Sequence, residues 1–108
     1  MFPYPPKQKN LELEVGTSYS FREKILDTTT NLPEDVTGFI ATIEMREFYA
    51  KTVVLPSIKP YCTQYEVCFD LYPEMTKGLL WERGYYKIQI TDGYGTYYTV
   101  FEGLVFIK

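Results

Sequence analysis

Apolar and polar residues alternate with a period of two along most of this chain, and that pattern confines it to sheet. In Leu11-Glu12-Leu13-Glu14-Val15 the alternation is strict, as in a strand with one face buried and the other in water. Gly16 interrupts it, and residues 17–26 resume with Tyr19, Phe21 and Ile25 on one face. Residues 39–46 set Phe39, Ala41, Ile43 and Met45 against Ile40, Thr42, Glu44 and Arg46; residues 65–72 set Val67, Phe69 and Leu71 against Glu66, Cys68 and Asp70. Residues 51–55 are a weaker strand candidate, ahead of an irregular stretch bracketed by Pro56 and Pro60. Segment 27–38, DTTTNLPEDVTG, is dense in turn formers and reads as a long loop closing on Gly38.

Asp92-Gly93-Tyr94-Gly95 is a hairpin signal, because the glycines tolerate positive φ between flanking strands at 85–91 and 96–101. Gly103 then marks a break or bulge before a last strand at 104–107. Helical spacing occurs once, where Pro73 opens a turn and Met75, Leu79 and Leu80 follow before Gly84. The expected architecture is all-β: seven or eight short antiparallel strands in a sandwich, with at most one short helical turn. A parallel α/β sheet is excluded, because its crossovers need helices that the pattern does not supply.

A chain of 108 residues has room for one core and little else, so residues 10–108 are read as a single β-sandwich domain. Residues 1–9 hold Pro3, Pro5 and Pro6 with Phe2 and Tyr4, and are read as a proline-rich extended arm that orders by docking on something. Eleven Tyr, seven Phe and one Trp suit pleated, half-buried surfaces and tilt the composition further toward sheet.

Charge and residue chemistry narrow the function. The net charge is −3 and the cations are scattered, with Lys7, Lys9, Arg22 and Lys24 the nearest to a cluster, so a nucleic-acid partner is not expected. No segment is apolar enough for a membrane helix, and the start lacks the apolar core of a secretory signal. A chain made in the cytoplasm keeps Cys62 and Cys68 reduced, although the sequence leaves a local disulfide open.

With no histidine, the Ser-His-Asp and Cys-His nucleophile pairs and His-containing zinc sites are absent, and two cysteines alone make no zinc knuckle. Glu12 and Glu14 share the polar face of one strand, Glu34 and Asp35 sit with Thr37 in the long loop, and Asp92 sits in the hairpin turn. None of these forms a calcium-loop run. A glycosidase-type carboxylate pair would need a cleft that a chain this size can hardly build beside its core. Gly93-Tyr94-Gly95 lies between strands, where a dinucleotide site would need it to open a helix. The expectation is a protein with no catalytic site, cofactor or metal.

The aromatic residues carry the remaining information. Along 97–107 both faces are apolar, whereas a small sandwich turns one face of each sheet to water. Three readings follow: tyrosines at strand ends with phenols outward, a surface covered by a partner subunit, or a platform of stacked rings for carbohydrate. The partner reading singles out Phe2, Tyr4, Tyr94, Tyr97, Tyr98 and Phe101. The carbohydrate reading uses Tyr94, Tyr97, Tyr98 or Trp81.

The order of short motifs adds a family resemblance. Gly16-Thr17-Ser18-Tyr19-Ser20-Phe21 is followed by Leu32-Pro33-Glu34-Asp35-Val36-Thr37-Gly38-Phe39, then a strand ending in Met45-Arg46. Further on come Phe69-Asp70-Leu71, Thr76-Lys77-Gly78-Leu79-Leu80, Gly84-Tyr85-Tyr86 and a closing Glu102-Gly103-Leu104-Val105. From Leu11 to Ile107 this resembles the small immunoglobulin-like β domains of bacteriophage structural proteins, in particular the amino-terminal domain of upper baseplate and tail-fibre attachment proteins. It departs from that pattern at Thr17-Ser18, where Asp-Thr is common. The resemblance implies an immunoglobulin-like sandwich in which Leu79 or Leu80 plugs one end and Gly84 lets the backbone turn into the next strand. It also implies a virion structural or connector protein of the tail, baseplate or neck, made in the host cytoplasm. Such a protein would work as a homo-oligomer or by docking onto a ring of other virion proteins.

Overall fold

A computed structural model describes residues 2, 6–79 and 81–108. Among the described residues, eight strands and one helical turn follow in order: β1 (Lys7–Gln8), β2 (Leu11–Leu13), β3 (Tyr19–Lys24), β4 (Ile40–Glu47), β5 (Tyr61–Cys62), β6 (Glu66–Leu71), α1 (Pro73–Thr76), β7 (Arg83–Thr91) and β8 (Tyr97–Ile107). One sheet runs β1-β8-β7-β4, with β2 also on β8, and the second runs β3-β6-β5. Facing sheets in the orders β4-β7-β8 and β3-β6-β5 are the immunoglobulin-type arrangement, so the all-β sandwich expected from the sequence is the fold of the chain.

Alternation builds the core as anticipated. Leu11 and Leu13 of β2, Phe21 of β3, Ala41 and Met45 of β4, and Val67, Phe69 and Leu71 of β6 all point inward. They meet Tyr86, Ile88 and Ile90 of β7 and Val100, Phe101 and Val105 of β8. Aromatic rings join the layers: Phe21 stacks on Phe69 at 5.0 Å and meets Phe101 edge-on at 5.5 Å. Each fully buried leucine contributes about 1.5–3 kcal/mol relative to exposure, so β2 anchors itself despite its three residues.

Five local expectations are corrected. Residues 7–9, read as the end of an extended arm outside the domain that orders by docking, pair with the chain's own sheet: Lys7 lies opposite Phe101 and Gln8 opposite Glu102 in a parallel ladder, and the Lys9 amide donates to the Glu102 carbonyl at 2.9 Å. β2 continues the same parallel register, with Leu11 opposite Val105 and Leu13 opposite Ile107, so two pairings depart from the otherwise antiparallel scheme. Gly103 is no break. β8 runs straight through it, and the irregularity lies between Ile88 and Gln89, opposite Phe101 and Thr99, which leaves Val100 as the extra residue.

Gly103 is small for another reason: a Cβ there would stand 2.3 Å from the Lys9 carbonyl oxygen. Gly84 likewise does not turn the chain. It sits inside β7, where a Cβ would meet the Arg46 carbonyl oxygen at 2.3 Å. The weaker strand candidate at 51–55 contributes only an isolated bridge between Val53 and Arg46.

Loops follow their turn chemistry. Asp27 accepts from the amides of Thr29 and Thr30, and Asp35 from that of Thr37 at 2.9 Å, which folds the 27–38 segment on itself. The helical turn carries Pro73 at its start and is fixed by Thr76, whose hydroxyl donates to the Thr17 carbonyl and accepts from the Gly16 amide, both at 3.0 Å. Leu79 and Trp81 pack against the core beyond it, while Leu80 lies outside the described residues.

Candidate interaction surface

The β7–β8 turn is built by its own side chains. Asp92 Oδ1 accepts from the Tyr94 amide at 2.8 Å, and Thr91 Oγ1 accepts from the Gly93 amide at 3.2 Å. Gly93 and Gly95 both take φ of 89°, the left-handed region that the sequence signal requires. The turn holds Tyr94 at its tip, 91% exposed.

Tyr97 opens β8 at the same end, 62% exposed. It pairs with Thr91, which pairs in turn with Ile40, the 60% exposed first residue of β4. Ile40, Thr91 and Tyr97 therefore form one row across three strands on the outer face of the larger sheet. Adjacent strands are about 4.8 Å apart, which puts Ile40 and Tyr97 roughly 10 Å from each other. Ile40 was not singled out from the sequence, though the signal is there: it is the one apolar residue among Thr42, Glu44 and Arg46 on its side of the alternation.

The other sequence-derived interface residues divide. Tyr98 is half-buried, with Phe2 over it at 4.5 Å; Phe2 also meets Phe39 edge-on at 5.6 Å. Phe2 thus docks on its own domain and closes that end of the sandwich. Phe101, 1% exposed and packed on Phe21, is core and presents nothing to a partner. The bulge at Val100 explains this, because the extra residue shifts the alternation and buries two successive side chains. Tyr4 lies outside the described residues.

A second aromatic group lies at the opposite end of β4, roughly 25 Å away at about 3.3 Å per residue. Phe48 and Tyr49 meet edge-on at 5.2 Å, and the Arg83 guanidinium stands 4.6 Å from the Phe48 ring and donates to the Tyr49 hydroxyl at 2.6 Å. Trp81 is at this end too, 3.1 Å from where a Cβ on Gly84 would lie. It therefore shares no platform with Tyr94, Tyr97 and Tyr98.

Of the carboxylates weighed from the sequence, Glu12 pairs with Lys108 at 3.1 Å, Asp35 accepts from the Thr37 amide at 2.9 Å and Asp92 from the Tyr94 amide at 2.8 Å. Two others are in ion pairs, Glu44 with Arg46 at 2.8 Å and Asp70 with Arg22 at 3.0 Å. A depression of about 250 Å³ on the outer face of the larger sheet holds Glu44 and Glu102 on either side of Lys87, and Glu102 accepts from Gln8 at 2.7 Å. Among the described residues no group of three His, Cys, Asp or Glu side chains could hold a metal ion. Both cysteines are free thiols. Burial pushes the Cys62 thiol up to about 11 and Cys68 in the same direction, so neither is ionised near neutral pH.

No family model matches the chain, and no curated protein matches it. Among solved structures it is similar to a chain of one described as "Structural basis of T cell specificity and activation by the bacterial superantigen toxic shock syndrome toxin-1". That match has a TM-score of 0.53 and 13% identity and covers 92% of each chain, so the two are close in length. At that identity the likeness is one of fold, a second β-rich chain laid out on the same plan.

Proposed function

We propose that this chain is a non-enzymatic structural or connector protein of a bacteriophage particle, in the tail, baseplate or neck, acting by binding other virion proteins. The observation that carries the binding part is the group of Tyr94, Tyr97 and Ile40 at one end of the larger sheet: three large apolar side chains held in water by a turn and two strand ends. Exposed aromatic anchors on a stiff support are what protein interfaces use, because they bury much area for little ordering entropy. The virion assignment rests on the resemblance of residues 11–107 to phage immunoglobulin-like domains, and the immunoglobulin-type strand order is consistent with it.

Carbohydrate binding by stacked rings has less support: Tyr98 is covered by Phe2, and Trp81 lies at the far end of the sandwich from Tyr94. The deciding experiment is light scattering of the purified chain, alone and mixed with the tail proteins of its particle, together with mass spectrometry of purified particles. Copies found in particles and a complex lost in Tyr97→Ala support the proposal. A strict monomer absent from particles, or glycan binding lost in the same variant, overturns it.

A further inference from the structure

The strand pair β1–β2 completes the core without depending on its place in the chain. Leu11 and Leu13 fill the space beside β8, the Lys9 carbonyl accepts from Tyr86, the Lys9 ammonium pairs with Glu23, and Asn10 Oδ1 accepts from the Leu104 amide. All of those partners lie 14 or more positions away in sequence. Among the described residues the local tie is the turn at residues 14–18, where the Thr17 amide and hydroxyl both donate to the Glu14 carbonyl, and Gly16 takes a φ of 77°. We propose that the slot beside β8 is a strand-acceptor site able to take residues 7–13 of a second copy of this chain, so that copies link by exchanging their first strands.

The slot selects this occupant. It requires a carbonyl turned inward over Gly103, a cation at Glu23 and two leucines two positions apart, and residues 7–13 supply all three. A donor from a second copy remakes every contact of the strand, so the exchanged and unexchanged forms differ only in the 14–18 turn and in the freedom lost on association. Opened into extended backbone, those five residues span about 17 Å, enough to carry the strand away from its own sheet. The turn's hydrogen bonds, including that of the Gly16 amide to Thr76, favour the closed form in dilute solution. Holding copies side by side, at effective concentrations near the millimolar range, favours exchange. The inference stands on the slot alone and is independent of the virion assignment.

The register gives a direct test. Gln8 and Glu102 are direct partners in the parallel ladder, so cysteines at these positions lie opposite each other on adjacent strands, about 4.8 Å apart and within the Cα separation a disulfide spans. In a Cys62→Ser background, the double variant Gln8→Cys/Glu102→Cys is expected to form an intrachain disulfide in dilute solution and to stay monomeric by light scattering once joined. A Gln8→Cys chain mixed with a Glu102→Cys chain is expected to give an interchain disulfide whose yield rises with concentration. The proposal is overturned if the mixture gives no such heterodimer at about 1 mM after a cycle of partial unfolding, while the double variant closes fully. Dimerisation of the disulfide-joined chain equal to that of its reduced form would also overturn it.

Discussion

The hydroxyl of Tyr86 donates to the carbonyl of Lys9 at 2.5 Å, joining the middle of β7 to the first strand across the small side of Gly103. Tyr86 is core by alternation, its phenol is 2% exposed, and burial raises its pKa well above the usual tyrosine range, so it stays a donor at any physiological pH. Tyr86→Phe keeps the ring and removes the donor, leaving a buried carbonyl without this partner. The expected loss is about 1–3 kcal/mol, read as a lower urea midpoint at unchanged slope. An unchanged midpoint would mean that the bond contributes nothing net.

Removing residues 1–9 is expected to destabilise the domain, whereas an arm lying outside the sandwich would leave stability untouched. This segment carries the β1 ladder, the Lys9–Glu23 ion pair and the acceptor for Tyr86. The truncated chain is expected to melt lower than Tyr86→Phe, because it loses that bond and the ladder together. Scanning calorimetry of the two variants side by side gives the comparison.

Three glycines separate close approach from turn geometry. Gly103→Ala and Gly84→Ala place a methyl group 2.3 Å from backbone carbonyl oxygens that cannot swing aside, whereas Gly78→Ala meets nothing within 4 Å. The first two are expected to cost at least about 1–3 kcal/mol, the scale of overpacking, and Gly78→Ala to fall within about 0.5 kcal/mol of the parent. Chemical denaturation of the three variants reads the contrast, and equal effects at all three positions would contradict these contacts.

Much of this fold is legible in the sequence because burial follows alternation. Leu11 and Leu13, Val67, Phe69 and Leu71, and the glycines of the 92–95 turn each carry a local signal that the structure repeats, whereas Cys68, placed by alternation with Glu66 and Asp70, is 1% exposed. What was not legible depends on partners far away in sequence. Nothing local says that Lys7 and Gln8 lie beside residues 94 positions later, or that Gly103 is small to admit the Lys9 carbonyl. The interface residues fail for the same reason. Phe101 reads as surface until the bulge at Val100 shifts the parity of β8, and Tyr98 reads as exposed until Phe2 is laid on it. Tyr94 and Tyr97 are exposed, as read, because turn chemistry, which is local, sets their exposure.

The pH dependence of stability has a defined sign at Asp70. A hydrogen bond from Ser20, with the Arg22 guanidinium beside it, holds this carboxyl below the usual aspartate range. A carboxylate depressed in the folded state stabilises above its unfolded value of about 3.9, and the contribution is lost as pH falls through the folded value. Asp70→Asn is therefore expected to lower stability at pH 7 while flattening its decline below about pH 4. Urea midpoints from pH 2 to 7 test this, and parallel curves for parent and variant would contradict it.

Tyr94, Tyr97 and Ile40 separate assembly from stability. Each is at least 60% exposed and bonded to nothing in the core through its side chain, so Tyr94→Ala, Tyr97→Ala and Ile40→Ala are expected to shift folding stability by about 0.5 kcal/mol or less. If this group is an anchor, the same substitutions weaken the complex with tail proteins by roughly tenfold or more each, the loss of about 1.4 kcal/mol or more typical of a central contact. Phe101→Ala reverses the pattern. It empties a core site between Phe21 and Ile88, is expected to cost about 3–5 kcal/mol of stability, and weakens assembly only by unfolding the chain. Calorimetry and titration of the same four proteins read both quantities. Surface variants that bind as tightly as the parent would place the docking site elsewhere, with the Phe48, Tyr49 and Arg83 group at the other end of β4 the next surface to mutate.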